Sequence, residues 1–179
     1  VAALATNGAM TGAAQFLFLG HGLWLEDTYG LNTAEIGLAI VAVGAVEVIA
    51  TLGSSRLTDR LGKRRSMFGG ALLMTSALMV LAAYSTPPLW LGLLILVTAF
   101  LGFEYGIVSA LPLISELDPG ARAAMVGRAI SISTVIRALV TLLATAIYVS
   151  QGFATLMMVA SGIGIIAVLL AAFFMVEPA

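Results

Sequence analysis

What most constrains this chain is its supply of apolar stretches long enough to cross a lipid bilayer. A membrane-spanning helix needs roughly 20 apolar residues at about 1.5 Å of rise each. Six stretches meet that demand: Ala3–Leu25, Ala34–Ser55, Ser66–Tyr84, Leu89–Ile114, Arg128–Ser150 and Phe153–Val176. They are apolar on every side, whereas strands of a membrane barrel alternate with period two over about ten residues. Helices are therefore expected throughout. Composition agrees, because 9% of the 179 residues are charged while soluble domains carry about 25%. A net charge of −1 and the lack of a long basic run argue against a nucleic-acid partner. The chain has no cysteine and a single histidine, His21. Thiolate chemistry therefore has no residue to draw on, one histidine leaves almost no room for a histidine metal cluster or a Ser-His pair, and no cofactor is expected. The chain opens on Val1 in apolar sequence without a basic n-region, which reads as a trimmed or internal boundary and not as a signal peptide.

The breaks between stretches have loop chemistry. Tyr29-Gly30-Leu31-Asn32-Thr33 closes the first, with Thr33 and Glu35 reading as a helix start, and Thr86-Pro87-Pro88 separates the third from the fourth. Ser150-Gln151-Gly152 forces a tight hairpin between the last two. Five of the eight basic residues fall in Arg56–Arg65, Arg122 falls in the Glu116–Gly127 loop and Arg128 directly after it, while the first loop carries Glu26, Asp27 and Glu35. Six crossings put both basic loops on one side, which the positive-inside rule makes cytoplasmic, together with both termini.

Three ionisable residues lie inside the apolar stretches. Glu47 and Glu104 each precede an acidic loop residue by about twelve positions, or about 18 Å of helix, and Arg137 lies about 14 Å beyond Arg128. All three are placed near mid-membrane, where ionisable groups face protein or water. If Arg137 pairs with one glutamate, the other is left without a fixed partner and becomes a candidate proton carrier. The competing reading is a fixed ion pair with a neutral second carboxyl that holds helices together. On the first helix Asn7, Thr11 and Gln15 recur every fourth residue, a polar stripe for substrate contact or interhelical hydrogen bonds. Gly8-x-x-x-Gly12 and Gly102-x-x-x-Gly106 allow close helix approach, and Gly162-Ile-Gly164 is packing too. Trp24 and Trp90 are placed as interface anchors at the outer ends.

The run Ser55-Arg56-Leu57-Thr58-Asp59-Arg60-Leu61-Gly62-Lys63-Arg64-Arg65 resembles the loop signature of the major facilitator superfamily, usually G-x-L-A-D-R-x-G-R-R, with Ser55 standing where the family has glycine. The segment Glu116-Leu117-Asp118-Pro119-Gly120-Ala121-Arg122 is similar to the equivalent turn of the second repeat. The resemblance implies an all-α membrane fold: one six-helix half built from two inverted three-helix repeats, 1–84 and 85–179. It implies that the first and fourth helices line a cavity, the second and fifth flank a partner half, and the third and sixth face lipid. Leu23–Leu31 resembles a seventh helix and its exit more than a first, which favours the C-terminal half. It also implies a cytoplasmic gate of Ser55, Asp59, Arg60, Gly62, Arg64, Glu116 and Arg128, in which Asp59 bonds the N-terminal amides of the fifth helix.

The expected function is solute transport by alternating access in the plasma membrane, with proton-coupled efflux of a small amphipathic molecule as the preferred mode. Asn7, Thr11, Gln15 and Glu104 are the expected cavity contacts, and Glu47, Glu104 and Arg137 the coupling charges. The expected partners are the bilayer, a small-molecule substrate and a second six-helix half, either in a longer chain or as a second copy. The alternative is a non-transporting receptor or scaffold subunit of the same fold. No enzymatic motif is present.

Overall fold

A computed structural model describes residues 1–174, apart from the side chains of Ala50 and Ser55. The tail Glu177-Pro178-Ala179 and the last residues of the sixth predicted stretch lie outside the described residues. Helices account for nearly all of the described chain: α1 (Ala2–Tyr29), α2 (Thr33–Leu61), α3 (Lys63–Ala83), α4 (Leu89–Ser115) and α5 (Arg122–Phe173). Among the described residues, four helical segments are long and apolar enough to cross a membrane: Thr33–Ser54, Lys63–Ala83, Leu89–Ser115 and Arg122–Phe173. α1 is equally long, but Asn7, Gln15 and its threonines dilute its apolar character.

The fifth and sixth predicted stretches form one element with a single-residue break. Gly152 takes φ 80° and ψ −179° inside α5, a conformation that glycine enters without a Cβ penalty. The chain reverses there. Gly8 and Gly12 of α1 meet Ile132, Ile136 and Val140 of the first limb (122–151), while Gly12 and Gly20 meet Ile163 and Leu156 of the second (153–173). One limb thus runs with α1 and the other against it.

The basic loop is corrected in a similar way. Residues 56–65 are helical except for Gly62 (φ 89°), which ends α2 and begins α3. The first connection keeps its loop: Gly30 closes α1 in the left-handed region (φ 67°), and α2 is started by Asn32, one residue before the expected Thr33, through a capping box with Glu35.

The helix ends sort into two groups. At one end Trp24 donates to the Ser85 carbonyl (2.7 Å), Tyr29 to the Pro87 carbonyl (2.8 Å) and Tyr148 to Asp27 (2.7 Å). At the other, Lys63 pairs with Glu116 and Arg64 donates to the Ala172 carbonyl (2.6 Å). The basic end and the acidic end of the bundle are therefore opposite ends, as the loop charges require.

The core forms where helices come closest. A Cβ on Gly70 of α3 would stand 2.5 Å from the Gly106 backbone of α4, and one on Gly102 would stand 2.5 Å from the Met74 nitrogen. The Gly102/Gly106 pair therefore closes α4 onto α3. Trp24 belongs to this interior. It is 1% exposed and stacks on Phe153 at 4.7 Å, so its expected place at the lipid interface is wrong. Its indole N–H finds the Ser85 carbonyl, which satisfies the one polar atom that burial would penalise. Trp90, 68% exposed, does face outward. α2 and the first limb of α5 leave a broad apolar face uncovered, with Leu38, Val41, Leu52, Leu139 and Leu142 exposed.

Candidate functional site

Helices α1, α2, α4 and the first limb of α5 surround a cleft. Its central part holds about 430 Å³ and is bordered by Phe18, His21, Glu47, Phe100, Glu104 and Arg137. A second lobe of about 260 Å³ shares Phe103 and Arg137 and adds Asn7, Thr11, Ser133 and Thr134. A third of about 300 Å³ shares Glu47 and Glu104 and adds Thr51. Three helices thus bring their mid-span charges to one concavity, in a bundle otherwise lined by apolar side chains.

The local chemistry explains how the Glu104 carboxylate is held. Thr51 lies one turn after Glu47, and its hydroxyl is within reach of both the Glu47 carbonyl (2.9 Å) and Glu104 Oε1 (3.0 Å). A hydroxyl has one proton to give, so the two acceptors compete for it. Arg137 borders the same cleft but forms no ion pair among the described residues. The anticipated Glu–Arg pair is not made in this conformation.

The α1 stripe faces the first limb of α5. Asn7 donates to Ser133 (3.0 Å), Thr11 and Ser133 share a hydrogen bond (3.3 Å), and Gln15 donates to Thr141 (3.4 Å). Ser133, Arg137 and Thr141 repeat at the same four-residue spacing on the parallel limb, so the two stripes meet in register. Asn7 and Thr11 also border the cleft, whereas Gln15 is engaged between helices and is not among the residues bordering it. The matching spacing on α5 was present in the sequence and went unread. Thr51 and the Phe18, Phe100 and Phe103 cluster, with ring centroids 5.0 and 5.3 Å apart, were missed as well. Nothing in an apolar stretch marks which phenylalanines turn inward. His21 sits at the edge of Phe100 (5.7 Å), with Nδ1 3.0 Å from the Leu17 carbonyl.

At the basic end the contacts differ from those expected. Asp59 is exposed in the last turn of α2 and bonds no α5 amide among the described residues. Because α2 continues to Leu61, Asp59 is carried on the helix surface and does not reach across from a loop. Glu116 pairs with Lys63, at the start of α3. Arg128 reaches the Met125 sulfur (3.5 Å) and forms no ion pair among the described residues. The Gly62 break provides the turn that brings Lys63 to α4, and Arg64, next to it, ties α3 to the end of α5. Arg60 is exposed, and the Ser55 side chain lies outside the described residues. No group of three or more His, Cys, Asp or Glu side chains suited to a metal occurs among the described residues.

A model of the Major Facilitator Superfamily matches residues 3–179. An uncharacterized MFS-type transporter of Bacillus subtilis (strain 168), YceJ, is 36% identical over 61 residues, a stretch that covers 34% of this chain and 15% of that protein.

Proposed function

This chain belongs to the major facilitator superfamily, and from that premise we propose that it forms one half of a secondary transporter that moves a small amphipathic solute by alternating access, with proton-coupled efflux as its mode. Its rods make two three-helix repeats, 1–84 and 85–179, and it lies in the plasma membrane with its basic end and both termini on the cytoplasmic side. The uncovered face of α2 and the first limb of α5 receives the second half, whether from a longer chain or from a second copy. The cleft then becomes a central cavity closed on all sides.

One observation carries this reading: Glu47, Glu104 and Arg137, from three different helices, border the same cleft of about 430 Å³. Buried charge is costly in a bilayer, at about 2.5–3.5 kcal/mol per residue on insertion scales, and collects where it lines a pathway. The cleft offers few polar groups and several aromatic rings. That suits an amphipathic solute better than a sugar, whose hydroxyls would each need a partner. Protonation of Glu104 changes what Thr51 can donate to, so the proton on this carboxyl is coupled to the hold of α4 on α2. At the basic end the Lys63–Glu116 pair is the part of the gate that is closed, and Asp59 and Arg128 are available to the partner half when the two halves rock.

The test is flux of a lipophilic fluorescent solute in proteoliposomes of the full-length protein under an imposed pH gradient. Wild-type protein moves the solute in exchange for protons, which are released on the side opposite to the one that receives the solute. Glu104→Gln and Glu47→Gln each lower coupled flux by about tenfold or more, the loss expected when a positioned proton-transfer group is removed. Unchanged proton release in both variants overturns the proton-carrier assignment. Solute binding without flux in the wild type overturns the transporter reading in favour of a receptor.

A further inference from the structure

The opposite flank of the α2–α4 contact carries a second concavity. It holds about 480 Å³ between α2, α3 and α4, bordered by Gly53, Leu57, Gly69, Leu73, Leu101 and Tyr105. Tyr105 lies about 200° around α4 from Phe103 of the cleft, at about 100° per residue. The groove therefore opens away from the cleft. Its walls are apolar, and the Tyr105 hydroxyl is already satisfied by Ser66 Oγ at 2.8 Å. Two glycines hold it open, since a Cβ on Gly53 or Gly69 would meet nothing within 4 Å. An apolar furrow of this size at membrane depth is not a place for water, which needs polar partners.

The groove runs toward the basic end. Arg60 follows Gly53 by seven residues, two turns or about 10 Å along the same face of α2, and Arg65 precedes Gly69 by one turn on α3. Both arginines are exposed. Their basic neighbours are otherwise engaged, Lys63 by Glu116 and Arg64 by the Ala172 carbonyl. Asp59, the nearest acidic residue in sequence, lies about 160° around α2 from Leu57. The mouth of the groove is thus positive and its floor is greasy.

We propose that this groove seats one acyl chain of an anionic glycerophospholipid whose phosphate is held by Arg60 and Arg65. Guanidinium groups bind phosphate through paired N–H donors, and the cytoplasmic leaflet supplies anionic headgroups at the depth where the basic end lies. A zwitterionic lipid offers the same tails, but its positive headgroup opposes the two arginines.

Native mass spectrometry of the detergent-solubilised full-length protein tests this, with palmitoyl-oleoyl phosphatidylglycerol competing against palmitoyl-oleoyl phosphatidylcholine. Wild-type protein retains one phosphatidylglycerol with a preference of about fivefold or more, the order expected when an arginine engages an anionic headgroup. Arg60→Gln with Arg65→Gln reduces that preference to parity. Gly69→Phe fills the groove from α3 and lowers retention of both lipids, and Gly53→Phe does so from α2. Monodispersity and a melting curve establish that each variant is folded. Equal retention of the two lipids by the wild type overturns the proposal. So does undiminished phosphatidylglycerol retention in whichever glycine variant is folded.

Discussion

Helix α4 holds its two neighbours in different ways. Against α3 it closes backbone to backbone: a methyl group on Gly70 would strike the Gly106 backbone, and one on Gly102 the Met74 backbone. Against α2 it is tied at two polar points, Thr51 to Glu104 and Thr58 to Ser109. The outward side of α2 stays exposed through Leu38, Val41 and Leu52. In lipid there is no hydrophobic force between helices, so close packing and hydrogen bonds must do the joining. Close packing distributes the joining over many atoms. Hydrogen bonds concentrate it at points that can be exchanged one at a time. The α3–α4 seam is therefore the frame of the bundle, and α2 is the part that can be released.

The strongest way to break this contrast is Gly70→Val. The new side chain would have to displace the Gly106 backbone, not a flexible tip, and overpacking of that kind costs about 3 kcal/mol or more. Denaturation midpoints in mixed micelles should fall accordingly. A midpoint close to wild type would mean that the frame is softer than its spacing indicates.

The polar ties should be weaker, both those on α2 and the Lys63–Glu116 pair that joins the start of α3 to the end of α4. Lys63→Gln should cost less than about 1 kcal/mol, because the pair is partly solvated, and the loss should shrink further in high salt. A salt-independent loss of several kcal/mol would make the basic end part of the frame. The buried Thr58–Ser109 bond (2.8 Å) is shielded from salt. A double-mutant cycle of Thr58→Val and Ser109→Ala should give a coupling of about 0.6 kcal/mol, the average for interhelical hydrogen bonds in a membrane.

The two seams were unequally legible in the sequence. Gly102-x-x-x-Gly106 announced a close approach, but its partner Gly70 carries no such motif, since Gly69-Gly70 reads equally well as a weak point in a helix. The mid-span charges Glu47, Glu104 and Arg137 could be placed at one depth from 1.5 Å per residue, and they do border one cleft. Which of them would pair could not be read, because rotation about the helix axis decides it. The same degree of freedom hid Trp24. In a soluble protein an apolar stripe marks the buried face. In a lipid-embedded bundle both faces are apolar, so a buried tryptophan and an interfacial one look alike. The break at Gly62 was hidden for another reason. A basic run reads as a loop by charge, yet lysine and arginine are good helix formers, and residues 56–61 simply continue α2.

The smallest effect separates neighbours in the chain. Gly69 and Gly70 are consecutive, yet they stand 100° apart on α3, one over the open groove and one against Gly106. Glycine inside a helix costs about 0.5–1 kcal/mol relative to alanine when nothing else is at stake. Gly69→Ala should therefore raise stability by about 0.5 kcal/mol, whereas Gly70→Ala should lower it, because its methyl group has only backbone to displace. The sign, not the size, is the test, and the pair of denaturation curves reads it directly. If both substitutions stabilise, α3 and α4 can move apart at little cost and the seam is not a frame. If both destabilise, the groove beside Gly69 is occupied in the folded protein by something that a single methyl group already disturbs.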